Sequence, residues 1–193
     1  AFARILREAV RLIPRNPQCD QVLQVWNRRV TLSAEELRSA ISRARRSGRP
    51  HNVVRESFAL GLMELLANKL IIEAGDAHSA ADIDPDDLNS WMAEIRDSID
   101  ARRAINLAWM PTQAPAFLRK LWSRPALLAA ANRHAGSPLS VEDLAILKRS
   151  GDKPFTAADI PLIDELEELL GTLDVASAQS ARAEKQREKE ERE

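Results

Sequence analysis

Residues 52–73 read Asn-Val-Val-Arg-Glu-Ser-Phe-Ala-Leu-Gly-Leu-Met-Glu-Leu-Leu-Ala-Asn-Lys-Leu-Ile-Ile-Glu, and this stretch decides the fold class. Val54, Phe58, Leu62, Leu65, Leu66 and Leu70 recur at helical spacing, while Glu64, Asn68 and Lys69 interrupt the run. A stripe of that period buries one face of an amphipathic helix. Ordinary core packing accounts for it. The interrupting charges also rule it out as a membrane span, which needs roughly 20 uninterrupted apolar residues.

Working outward, Ser47-Gly48-Arg49-Pro50 is the turn that precedes this helix. Before it, Ser33 stands three residues ahead of Glu36, the spacing of a capping box, which predicts a helix to about Arg46. Upstream the period changes. Val22-Leu23-Gln24-Val25-Trp26 and Arg29-Val30-Thr31-Leu32 flank an Asn27-Arg28 turn and predict a short β-hairpin. Phe2 to Ile13 carries Ile5, Leu6, Ala9, Val10 and Ile13, a helical stripe that ends before Pro14.

Downstream, Gly75 to Asp84 lacks apolar periodicity and reads as an exposed loop. Asp84-Pro85-Asp86-Asp87 then resembles a helix start, with Asp84 as cap and Pro85 first in the helix. Leu88, Trp91, Met92 and Ile95 continue that helix, and Pro111 breaks the pattern. Thr112, Ser123, Ser140 and Thr156 mark further helix starts, the last two with Asp143 and Asp159 at capping-box spacing. From Leu173 to Glu193 the chain is rich in Ala, Glu, Lys and Arg, which predicts a long charged helix. The expected fold is therefore a mostly α, irregular helical domain with a small hairpin near its amino end.

Composition agrees: of 193 residues 45% are hydrophobic, enough for a core, and only 6 are Gly. One cysteine, Cys19, excludes an internal disulfide framework and points to a reducing, cytoplasmic setting. The chain opens on Ala1 and runs straight into helical pattern, so it reads as an excerpt of a longer protein.

Catalytic signatures are missing. The 6 glycines are scattered singly, and none forms a phosphate loop or dinucleotide fingerprint. His51, His78 and His134 lie in unrelated segments, without the i+3 or i+4 pairing of a metal site. Ile160-Pro161-Leu162-Ile163-Asp164-Glu165 looks like a strand ending in the Asp-Glu of an ATPase magnesium site. However, Leu162, Leu166, Leu169 and Leu170 carry a helical stripe through it. Asp82 to Asp87 looks like a calcium loop, but Asp87 takes the place of the needed Gly and Ala93 that of the bidentate Glu. The expected chain is not an enzyme and holds neither metal nor cofactor.

Charge is segregated instead. Net charge is −1 overall, yet residues 1–72 carry 13 basic and 6 acidic side chains, residues 73–100 carry 1 and 9, residues 101–153 carry 9 and 3, and residues 154–193 carry 5 and 11. Two patches stand out as candidate binding sites. Arg43, Arg45, Arg46 and Arg49, joined by Arg38, His51 and Arg55, form a cationic corner suited to nucleic acid or to an acidic protein. A solvated helix end has the same composition. Asp76, Asp82, Asp84, Asp86 and Asp87 form an acidic loop over about 75–87. Such a loop can enter a basic channel, mimic a phosphate backbone or approach a metal held by a partner; a solubilising loop reads the same way.

Several runs resemble the HelD family, helicase-like ATPases that bind bacterial RNA polymerase. They are Val30 to Arg38 (VTLSAEELR), Arg43 to Asn52 (RARRSGRPHN), Leu121 to Ala131 (LWSRPALLAAA), Phe155 to Glu165 (FTAADIPLIDE) and Glu168 to Gly171, with Phe155 where the family pattern has Trp. Their order and spacing also match. The resemblance implies the insertion that splits the first motor lobe: residues 1–153 as a clamp-opening helical domain and 154–193 as the segment returning to that lobe. It implies polymerase core and the motor lobes as partners, displacement of nucleic acid for polymerase recycling, and an approach of Asp76–Asp87 to the polymerase active site. ATP and magnesium would belong to the parent's motor, outside this chain. Two other readings compete: a nucleic-acid-binding module using Arg43–Arg49, and a purely architectural spacer. No membrane role is expected.

Overall fold

A computed structural model describes residues 2–15 and 17–173. Among them are nine α-helices and one two-stranded hairpin, in the order α1 (Phe2–Arg11), β1 (Gln21–Val25), β2 (Arg28–Leu32), α2 (Ala34–Arg45), α3 (His51–Ala74), α4 (Pro85–Asp97), α5 (Ile99–Ala108), α6 (Ala114–Ser123), α7 (Pro125–His134), α8 (Val141–Leu147) and α9 (Ile160–Leu170). The fold is mostly α with the expected hairpin near its start. The long charged helix expected from Leu173 onward lies outside the described residues, apart from Leu173 itself.

The apolar residues collect in two clusters. The first is built on α3: Val54, Phe58, Leu62, Leu66 and Leu70 meet Leu23, Val25, Val30 and Leu32 of the hairpin, Leu37 and Ile41 of α2, Ile95 of α4 and Ile105 of α5. The second joins Ile5, Leu6, Ala9 and Val10 of α1 to Phe117, Leu118, Leu121 and Trp122 of α6, Leu128 of α7, and Leu166 and Leu170 of α9. The chain thus starts in the second cluster, crosses into the first at the hairpin, and returns after α5. Residues 21–109 form a lobe inserted between α1 and α6.

Local chemistry explains most boundaries. Ser33 and Glu36 form the full capping box: the Glu36 N–H donates to Ser33 Oγ at 3.1 Å and the Ser33 N–H donates to Glu36 Oε2 at 2.8 Å. Lys69 Nζ of α3 donates to both Glu36 oxygens at 2.9 and 3.0 Å, so the capping carboxylate also ties α2 to α3. Gly75 ends α3 at φ 82°, the left-handed conformation that glycine adopts without a Cβ clash.

Four expectations need correction. The hairpin turn is Trp26-Asn27, not Asn27-Arg28, because Val25 pairs with Arg28. Trp26 adopts φ 48° and is 71% exposed. The helical pattern that starts at Pro85, for which no break was named before Pro111, splits at Ser98. There Ser98 Oγ accepts from the Ala101 N–H at 3.2 Å and donates to Gln24 O at 2.7 Å. Thr112 and Ser123 do not cap helices. The prolines Pro115 and Pro125, preset for a first turn, start α6 and α7 after Gln113 and Arg124. Finally, the stretch 75–87 is not loop throughout, as described below.

Candidate functional site

The acidic stretch follows α3 and ends in α4. Ala77 is buried and pins the stretch to the domain, Ala80–Asp82 make one 3-10 turn, and Asp84 caps α4 by accepting the Asp86 N–H at 2.8 Å. Asp86 and Asp87 therefore sit in the first turn of a helix, as the Asp84-Pro85 helix start predicts, so the acidic loop ends before them. The cap and Pro85 account for this. Asp76, Asp82, Asp84, Asp86 and Asp87 are all exposed. Asp82 Oδ2 accepts from Ser79 Oγ at 2.7 Å, and the amino end of α4 offsets part of the charge of the three that follow. None of the five appears in the ion pairs among the described residues, which are Arg11–Glu8, Lys69–Glu36 and Arg149–Asp159.

The basic corner divides into two groups. Arg43, Arg46 and Arg49 are exposed and take part in no ion pair among the described residues. Arg45, exposed as well, differs by its partners: it donates to Arg11 O at 3.0 Å and to Pro14 O at 3.2 Å, holding the end of α2 against the end of α1. Partial desolvation of its guanidinium lowers its pKa from the ordinary arginine value. The three residues joined to the corner by sequence are structural as well. Arg38 donates to Pro17 O at 3.3 Å. Arg55 donates through Nε to Trp109 O at 3.1 Å and through Nη2 to Asn106 Oδ1. His51 is buried, stacks on Trp109 at 5.2 Å between centroids and places Nε2 2.9 Å from Met110 O. A carbonyl only accepts, so Nε2 carries the proton.

The fold brings to this corner side chains that the linear reading kept apart. Arg7 and Arg11 of α1, His134 at the end of α7 and Glu168 of α9 border the same groove as Arg45, Arg46 and Arg49. The one available signal was the i, i+4 spacing of Arg7 and Arg11, which places both on one face of α1. The remaining motifs are placed as follows. Asp164 and Glu165 lie on α9, as their helical stripe predicts. Cys19 is exposed and free. Among the described residues no group of three or more His, Cys, Asp or Glu is arranged to hold a metal ion. No described helix is long and apolar enough to cross a membrane.

A scan of the chain against protein-family models finds no match, and neither does a search of curated proteins.

Proposed function

We propose that this chain is a non-catalytic helical insertion of a helicase-like ATPase resembling HelD. It binds RNA polymerase core, helps hold the clamp open and helps displace nucleic acid so that polymerase is recycled. ATP and magnesium belong to the parent's motor lobes, to which residues 154–193 return. One observation supports the reading beyond the resemblance: five exposed aspartates, Asp76 to Asp87, lack an ion-pair partner among the described residues and stand at the exit of a well-packed 24-residue helix. Carboxylates carried in this way are available to a positively lined cleft of a larger assembly, where they compete with phosphate for the same cations.

Capture of core polymerase by the chain tests this, together with a variant in which Asp82, Asp84, Asp86 and Asp87 become Asn. Asn keeps the helix cap at position 84 and removes the charge. Loss of capture or of nucleic-acid displacement in the variant supports the mechanism; equal behaviour of the two proteins removes the acidic stretch from it. The rival nucleic-acid module rests on the exposure of Arg43, Arg46 and Arg49 and predicts duplex or single-strand affinity that falls steeply with salt. An architectural spacer binds neither partner.

A further inference from the structure

We propose that the groove between the two lobes is a binding site for a small molecule carrying a pyrophosphate group, such as a nucleoside di- or triphosphate. The groove has a volume of about 860 Å³. That lies within the range of about 300–1,000 Å³ typical of small-ligand pockets, which favour the junctions between packed units. Five arginines line it, Arg7 and Arg11 from α1 and Arg45, Arg46 and Arg49 from the end of α2 and the turn after it, against two carboxylates, Glu8 and Glu168.

These cations are not equivalent. Arg11 is paired with Glu8 at 2.8 Å, and Arg45 is held by the carbonyls of Arg11 and Pro14. Arg7, Arg46 and Arg49 form no ion pair among the described residues. Arg7 lines the groove from α1, and Arg46 and Arg49 line it from the end of α2 and the turn after it; unpaired guanidinium forks are the groups with which arginine binds phosphate bidentately. Pro50 and His51, at the amino end of α3, also line the groove, and that helix has no acid in its first turn and no side-chain cap. Val10, Leu12, Trp109 and Leu169 supply apolar wall beside the cations. That pairing suits a ligand with a charged and an apolar end.

Calorimetric titration of the 193-residue chain with inorganic pyrophosphate, ATP and adenosine tests the proposal. ATP and pyrophosphate should bind at one site and compete with each other, and adenosine alone should bind far more weakly. Arg46→Glu and Arg49→Glu should each weaken ATP binding about tenfold or more, the scale of one lost charge-assisted contact. Arg43→Glu is the control, because Arg43 belongs to the same cationic corner but does not line the groove; its variant should bind ATP like the parent. All three substitutions lie at exposed positions, and unchanged circular dichroism and melting confirm that each variant folds. Absence of saturable binding by either phosphate overturns the site. So does an Arg43→Glu loss as large as that of Arg46→Glu, or tighter binding of a DNA duplex than of ATP at these same residues, since each identifies the corner as a general polyanion surface.

Discussion

Asn52 and Thr112 hold each other through a closed pair of hydrogen bonds. Asn52 Nδ2 donates to Thr112 O at 2.9 Å, and the Thr112 N–H donates to Asn52 Oδ1 at 3.0 Å. The same Nδ2 also donates to Gly171 O at 2.9 Å. One buried side chain therefore binds the first turn of α3, in the inserted lobe, to the segments that start α6 and end α9. Asn52→Leu keeps the volume and strands an N–H and two carbonyls. Leaving buried polar groups unpaired costs about 1–3 kcal/mol each, less what water recovers, so a total near 3 kcal/mol is expected in urea unfolding. A loss under about 1 kcal/mol would show that the two lobes are held by packing alone.

This latch also marks where sequence reading stops. Helices α2, α3 and α9 and the hairpin were legible because period, capping box and turn residues are local signals. Asn52 gives no such signal: it sits 60 residues from Thr112 and 119 from Gly171. The break at Ser98 was missed because Ile95, Ile99 and Ile105 keep apolar residues coming; Ser98 both caps α5 through the Ala101 N–H and donates to Gln24 O, 74 residues away. In the candidate site, the density of Arg43 to Arg49 was visible. Its partition was not: Arg45 spends its charge on carbonyls 31 and 34 residues away, whereas Arg43, Arg46 and Arg49 do not.

Acid should destabilise the domain in two stages. Burial lowers the pKa of His51, with Arg55 adding to the effect, although the bond to Met110 O opposes it. As pH falls below about 6.5, the unfolded chain takes up a proton that folded His51 refuses, so stability drops with pH until the folded group also titrates. The second stage comes from Glu36 and Asp159. Burial pushes both carboxyls up, but the hydrogen bonds from Lys69 and Ser33 to Glu36, and from Arg149 and Thr156 to Asp159, outweigh it and leave both lowered. Their contribution is present above the ordinary carboxylate range near pH 4 and is lost as pH falls below it. Urea midpoints from pH 8 to 3 should show both declines. His51→Gln, which can still donate to Met110 O, should flatten the first and leave the second; a first decline of unchanged size would assign it to other groups.

Trp26 combines strain with exposure, since it occupies the left-handed region at φ 48° and is 71% exposed. That conformation costs a residue with a Cβ about 1–2 kcal/mol, and glycine gives back about 0.5–1 kcal/mol in backbone entropy. Trp26→Gly keeps the carbonyl that accepts Gln24 Nε2 and gives up little packing. A gain of about 0.5–1 kcal/mol is expected, or roughly 2 °C in Tm for a domain of this size. A lower Tm would mean that the indole supports the hairpin more than its exposure suggests.

Of the six glycines, Gly171 is the least able to accept a side chain. Its backbone lies at φ 74° and ψ 164°, a region essentially restricted to glycine. A Cβ built there would stand 2.8 Å from Pro50 Cβ and 3.2 Å from Val53 Cγ2. Pro50 opens α3 and Val53 lies in its first turn, so neither can yield without moving the helix that carries Asn52. Gly171→Ala should therefore cost twice, about 1–3 kcal/mol in backbone strain and a comparable amount in overpacking. It should also pull Gly171 O away from Asn52 Nδ2. Because both changes act on one junction, the double variant Gly171→Ala, Asn52→Leu should lose less stability than the two single losses added together. Full additivity in urea unfolding would show that the contact of Gly171 with Pro50 and the bond to Asn52 act independently, and that α9 is anchored to the inserted lobe at two separate points.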